Sequence, residues 1–290
     1  MTSPRRQQEP PLFLAAFLFA AVFTARLASL PLIRLAGLGL GTLLCYALTY
    51  GALPLVLLGR PAFLRTIQAA FWGESVRSSP FLHVLRGTLT GLLNYLPCLA
   101  LANAAAAAAA FFQTPADQDS AASSSAVRGI FEAASGGSLG WMDTALLALS
   151  LLAAAPLFEE LFFRGTLQPL AASRLPWTAA VFLTALAFAL IHLDGLPNIL
   201  PRLELGVVLG LLAARSGSVL PAAAAHAAHN ALGILANALE RSSTAGERLP
   251  LQLDGTSSAL LIGASVLSFA LMCLILARTH APQEGGQQRD

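Results

Sequence analysis

Eight apolar stretches, near residues 11–33, 35–58, 88–112, 143–172, 176–193, 202–215, 219–240 and 257–278, set the first limit on what this chain can fold into. A helix needs about 20 apolar residues to cross roughly 30 Å of hydrocarbon. Most of these stretches reach that length; the sixth is short and the fourth long. Hydrophobic residues make up 56% of the 290 and charged residues 11%, whereas a soluble domain carries about 25% charged residues. So much apolar side chain needs the lipid bilayer as a second apolar solvent. The sequence therefore predicts an all-α, polytopic transmembrane helical bundle of about eight spans. The first stretch follows Arg5 and Arg6 as a signal peptide would, but with so many spans behind it an uncleaved first helix is expected. A net charge of +2 without any basic run excludes nucleic acid as a partner.

Arginines favour cytoplasmic loops. With the N-terminus inside, the cytoplasmic segments hold Arg5, Arg6, Arg60, Arg65, Arg77 and Arg86 together with Arg174, Arg215, Arg278 and Arg289. The other side keeps only Arg34, Arg128, Arg202, Arg241 and Arg248. Both termini are thus expected in the cytoplasm, with the chain integral to a bacterial inner membrane. Residues 114–140, rich in Ser, Ala and Gly, read as an external loop. Residues 60–79 mix Phe63, Ile67, Phe71 and Trp72 with charges, as an interfacial helix does. Gly206 and Gly210 form a small-xxx-small pair that lets two helices approach closely. Cys45, Cys98 and Cys273 fall inside apolar runs and read as small core residues.

The span interiors are nearly free of ionisable groups outside one region, Arg26 being the main exception; near the outer end of the first span, it is expected to snorkel to the interface. The fourth span carries Glu159, Glu160 and Arg164, the fifth His192, and the seventh His226, His229 and Asn230. Each unpaired charge at mid-bilayer costs about 2.5–3.5 kcal/mol on insertion scales, so such groups must pair, line water or do chemistry. At about 100° per residue, Glu160 and Arg164 share one helical face and can pair, while Glu159 points away from that partner toward a cavity. His226 and Asn230 also share a face, with His229 on the flank. Phe188 and His192 face the same way, a bulky wall beside an imidazole. Glu159 lies about 15 residues before the turn at 173–176 and His192 about 16 after it, so at 1.5 Å per residue both stand ~20–25 Å from that turn. Antiparallel packing then brings them to one level. His226 is closer to its own turn at 216–218, and a short, tilted sixth helix or an inset loop would close the gap.

Peptide hydrolysis needs a base that takes a proton from water and a donor for the oxyanion. Glu159 suits the first, Asn230 and an N–H of His226 the second. Alternatively Glu159, His192 and His226 would ligate Zn²⁺ with water in an open fourth position, and the residues leave both mechanisms open. A binder that does not cut, such as an immunity or scaffold membrane protein, or a proton-coupled transporter would also bury Glu and His at mid-depth.

The run Glu159-Glu160-Leu161-Phe162-Phe163-Arg164-Gly165 resembles the EExxxR motif of the CAAX-protease and bacteriocin-processing (CPBP, Abi-like) family. Phe188 to His192 resembles its FxxxH motif and His226 to Asn230 its HxxxN motif, in the same order and spacing over roughly residues 145–240. The resemblance implies an intramembrane endopeptidase built mostly of eight helices, acting on membrane-associated or prenyl-type peptide and protein substrates. It implies that Glu159 and His192 activate the hydrolytic water, that His226 and Asn230 support the substrate carbonyl, and that Glu160 and Arg164 brace the site beside Phe188. It also implies either a zinc enzyme or a metal-free, glutamate-dependent one. On this reading residues 1–140 are N-terminal helices with the interfacial segment and external loop, 141–280 the catalytic core, and 281–290 a polar tail.

Overall fold

The computed structural model of the chain describes residues 12–59, 61, 64–65, 68, 71, 79–112, 140–192, 196–243 and 255–278. Its principal helices are α1 (Leu12–Ala36), α2 (Leu38–Leu58), α3 (Pro80–Phe112), α4 (Trp141–Ala172), α5 (Trp177–Leu190), α6 (Leu196–Ser216), α7 (Leu220–Ser243) and α8 (Gly255–Ala277). No strand occurs among the described residues. α1, α2, α3, α4 and α8 are each long and apolar enough to cross a membrane. Large apolar side chains such as Phe81, Trp141, Leu260 and Val266 stand exposed around them, a surface that lipid covers. The chain is an all-helical integral membrane protein.

Several boundaries differ from the sequence reading. α3 starts at Pro80 rather than near 88, since proline's fixed φ and missing N–H suit a first turn. α5 is apolar but only 14 residues long and stops at Leu190, before His192. α6 is not short: it begins at Leu196 and runs for 21 residues. α6 and α7 have the length of spans but not their apolarity, because their polar residues face the bundle interior. The external loop and the polar tail lie outside the described residues, as does most of the interfacial segment.

Prolines shape α2 and α4. Each of three π-helical turns, Ala47–Ala52, Ser150–Ala154 and Phe163–Leu167, ends just before a proline: Pro54, Pro156 and Pro169. Proline lacks an N–H and its ring crowds the carbonyl four residues back, and an extra residue in the preceding turn relieves that crowding. In the π register the Leu151 carbonyl points toward residue 156, a proline with no N–H to offer. The side-chain amide of Asn230 on α7 donates to that carbonyl instead, at 2.9 Å. The Leu161 carbonyl likewise accepts from the Thr166 hydroxyl at 3.1 Å.

α3 is the hub, packed by α6, α7 and α8, while α5 lies against α6 and α1 against α2. Gly206 and Gly210 sit where α5 and α6 touch: an added Cβ would stand 3.0 Å from Ala185 and 2.9 Å from Val181 Cγ1. A second glycine pair, Gly87 and Gly91, performs the same service between α3 and α7, where an added Cβ would overlap the backbones of Pro221 and Ala225. Gly91→Ala is expected to lower thermal stability in detergent by about 1–3 kcal/mol, the usual cost of overpacking. An unchanged melting curve would show that α3 and α7 can separate freely. The gap expected before His226 is closed by an inset turn: Ser216 and Ser218 are buried, and the Ser218 hydroxyl donates to the Phe71 carbonyl at 2.9 Å. Gly217, at φ 65°, supplies the left-handed residue that this reversal requires.

Candidate active site

The α-helical stretch Ala155–Phe162 lies between the two π turns of α4 and carries both glutamates. Glu160 is fully buried. Nη1 of Arg164 donates to its Oε1 at 3.0 Å, and Nδ1 of His226 stands 3.0 Å from the same oxygen. Nη2 of Arg164 donates to the Gly206 carbonyl at 2.8 Å, within reach because no side chain covers that backbone. One carboxylate and one guanidinium thereby tie α4 to α6 and α7. The motif spacing paired Glu160 with Arg164 alone; the third partner, His226, is a tertiary contact that spacing does not reveal.

Glu159, one residue earlier, is buried yet faces the other way. Its Oε2 has no hydrogen-bond partner and stands 3.8 Å from Nε2 of His192. His192 belongs not to α5 but to the turn behind it. Its Nδ1 lies 2.7 Å from the Phe188 carbonyl; a carbonyl only accepts, so Nδ1 holds the proton and Nε2 presents its lone pair toward Glu159. Phe188 is the wedge of the site: its ring meets His192 edge-on at 4.8 Å and His226 at 5.7 Å, with the Arg164 guanidinium 4.7 Å from its centroid. It is buried, and its ring also meets that of Phe163 edge-on at 5.4 Å.

Glu159, Phe188, His192, His226 and Asn230 line one cavity of about 430 Å³. His229 lines it too, its ring 5.4 Å from Tyr95 and its Nδ1 buried without a partner. The first half of the chain does more than supply helices, since Arg26, Tyr46, Tyr50 and Tyr95 line the same cavity. Arg26 does not snorkel to an interface. Its guanidinium lies 4.9 Å from the centre of the Tyr46 ring, inside the cavity. Arg202, read as an external arginine, also lines the cavity.

Glu204 corrects the expectation of apolar interiors elsewhere. Its Oε2 accepts from Asn94 at 3.1 Å and from the Cys98 thiol at 2.8 Å, so Cys98 is a hydrogen-bond donor and not merely a small apolar residue. Arg202 and Glu204 both fall within the sixth apolar run, and that placement was the signal that could have flagged them.

Both His192 and His226 are held through Nδ1, as metal-binding histidines commonly are. Among the described residues, however, no three His, Cys, Asp or Glu side chains form a group that could hold a metal ion.

Fold and site together define a polytopic, all-helical membrane protein with a carboxylate–imidazole pair facing a cavity inside its bundle. Residues 141–232 match the family model described as type II CAAX prenyl endopeptidase Rce1-like, and this match contains all three motifs that resemble the CPBP family. No curated protein and no solved structure matches the chain.

Proposed function

We propose that the protein is a glutamate-dependent intramembrane endopeptidase that cuts membrane-associated or prenyl-type peptides with a water held between Glu159 and His192. The observation that carries this reading is the pair of unshared acceptors, Oε2 of Glu159 and Nε2 of His192, 3.8 Å apart at the cavity wall. That spacing is too long for a direct hydrogen bond and suits one water donating a hydrogen to each. Such a water turns its oxygen lone pairs toward a carbonyl in the cavity. As it attacks the carbonyl carbon, one of its protons passes to Glu159 and the carbonyl oxygen becomes an oxyanion. When the tetrahedral intermediate collapses, the C–N bond breaks and Glu159 returns that proton to the leaving nitrogen. The products are a carboxylic acid and an amine, and the acid's proton passes to the amine to leave a carboxylate and an ammonium group.

The oxyanion is assigned to α7. One N–H of the Asn230 amide is committed to Leu151, and the second is left for the oxyanion. His226 directs Nδ1 to Glu160, so it donates to the oxyanion only when its other nitrogen is also protonated. Asn230 is therefore the more dependable donor. Asn230→Ala is expected to cut turnover by about 10²–10³-fold, the usual cost of one oxyanion donor. His229→Ala, against Tyr95, costs much less. Steady-state rates of the two variants check this order, and the reverse order would overturn it.

The arginine bias supports a bacterial inner-membrane protein with both termini cytoplasmic. The proposal is tested with the purified protein in detergent and a prenylated CAAX-type peptide, with and without a chelator. Cleavage is expected at the same rate in both, because on this reading Glu159 and His192 activate the water without a metal. Loss of activity on chelation, restored by Zn²⁺, would replace this mechanism with a metal-dependent one.

A further inference from the structure

Resting on the endopeptidase reading, we infer that Arg26 of α1 is the specificity residue that reads a free C-terminal carboxylate on the substrate. Arg26 lines the same cavity as Glu159 and His192, and its Nη1 is buried without a hydrogen-bond partner. A buried guanidinium N–H left unpaired is costly, and the nearest carboxylates do not relieve it. Glu159 keeps its Oε2 unpartnered, Glu160 bonds Arg164 and His226 through one oxygen, Glu204 bonds Asn94 and Cys98 through one oxygen, and none of the three bonds Nη1 of Arg26. Arg26 and Glu159 thus face one cavity with complementary charges and do not pair with each other. The missing partner of Nη1 is an anion that enters with the ligand.

Depth and size say which anion. Arg26 stands on α1 about 20 Å from Leu12 and about 15 Å from Ala36, at 1.5 Å per residue. Lipid phosphates lie at the ends of such a helix, too far away to reach it. The cavity, about 430 Å³, is at the small end of the roughly 300–1,000 Å³ typical of ligand pockets. It takes a short length of extended peptide, so a chain is admitted most readily by its end, and the negative end is the C-terminus. The Tyr46 ring lies 4.9 Å from the guanidinium carbon, and a carboxylate is the group that the guanidinium fork matches best. Arg202, which lines the same cavity, adds a second positive charge.

The test uses one prenylated CAAX-type peptide in two forms, identical except for a C-terminal acid or a C-terminal amide. Wild-type protein is expected to cleave the acid with a kcat/KM about 10–100-fold above the amide, the range of a charge-assisted hydrogen bond. Arg26→Gln brings the ratio close to 1, and Arg26→Lys keeps part of it. A merely structural role for Arg26 lowers both rates and leaves the ratio where it was, which overturns the inference. A wild-type ratio near 1 overturns it as well, and needs no variant to fold. Cleavage of neither form by wild-type protein would instead defeat the endopeptidase reading on which the inference stands.

Discussion

Glu159→Gln lowers the cleavage rate by about 10²–10⁴-fold, the range that a positioned general base supplies, and leaves expression and melting temperature close to wild type. The substitution keeps the size of the side chain. It also costs the fold no hydrogen bond at Oε2, which has no protein partner. What it removes is the acceptor that takes a proton from water. Rates measured beside thermal melts in the same detergent separate the two effects. A variant that melts normally and cleaves at the wild-type rate would remove Glu159 from the chemistry.

Glu160→Gln gives the opposite outcome one residue away. Breaking a buried pair by removing one partner costs about 3–5 kcal/mol, because the other charge stays behind without compensation. Here the stranded charge is Arg164, fully buried, and the uncharged amide oxygen that remains must serve both Arg164 and Nδ1 of His226. Folded yield is expected to fall sharply, and the remaining protein to melt early. Replacing both members, as Glu160→Gln with Arg164→Met, restores part of the yield, since two apolar or neutral groups tolerate burial better than one lone charge. Equal melting of Glu160→Gln and wild type would show that the pair braces nothing.

How far the sequence carries can be judged residue by residue. The all-helical membrane class was legible in the apolar runs, because lipid leaves a long apolar segment few other structures. The place of Glu160 beside Arg164 was legible because neighbours four apart on a helix touch whatever surrounds them. The share of α1, α2 and α3 in the cavity lining was not. Arg26 is an isolated charge on an apolar helix, and helical periodicity cannot say whether such a residue reaches the interface or a cavity. Arg202 and Glu204 were hidden by treating the sixth run as a plain span. The hydrogen bond from Asn230 to Leu151 depends on a π turn that precedes Pro156; regular 100° steps do not describe that turn. Gly87 and Gly91 carried a small-xxx-small signal in plain view, and only the observed approach of α7 gives it meaning.

The most direct test of the account follows the oxygen of the water itself. Purified wild-type protein and Glu159→Gln are incubated with a prenylated CAAX-type peptide in ¹⁸O-enriched water, and the products are read by mass spectrometry. The account predicts a single cut in the wild-type reaction, with one ¹⁸O in the newly formed carboxylate, and almost no product from the variant. Product formed equally by both proteins, or a new carboxylate without ¹⁸O, would contradict a water activated by Glu159.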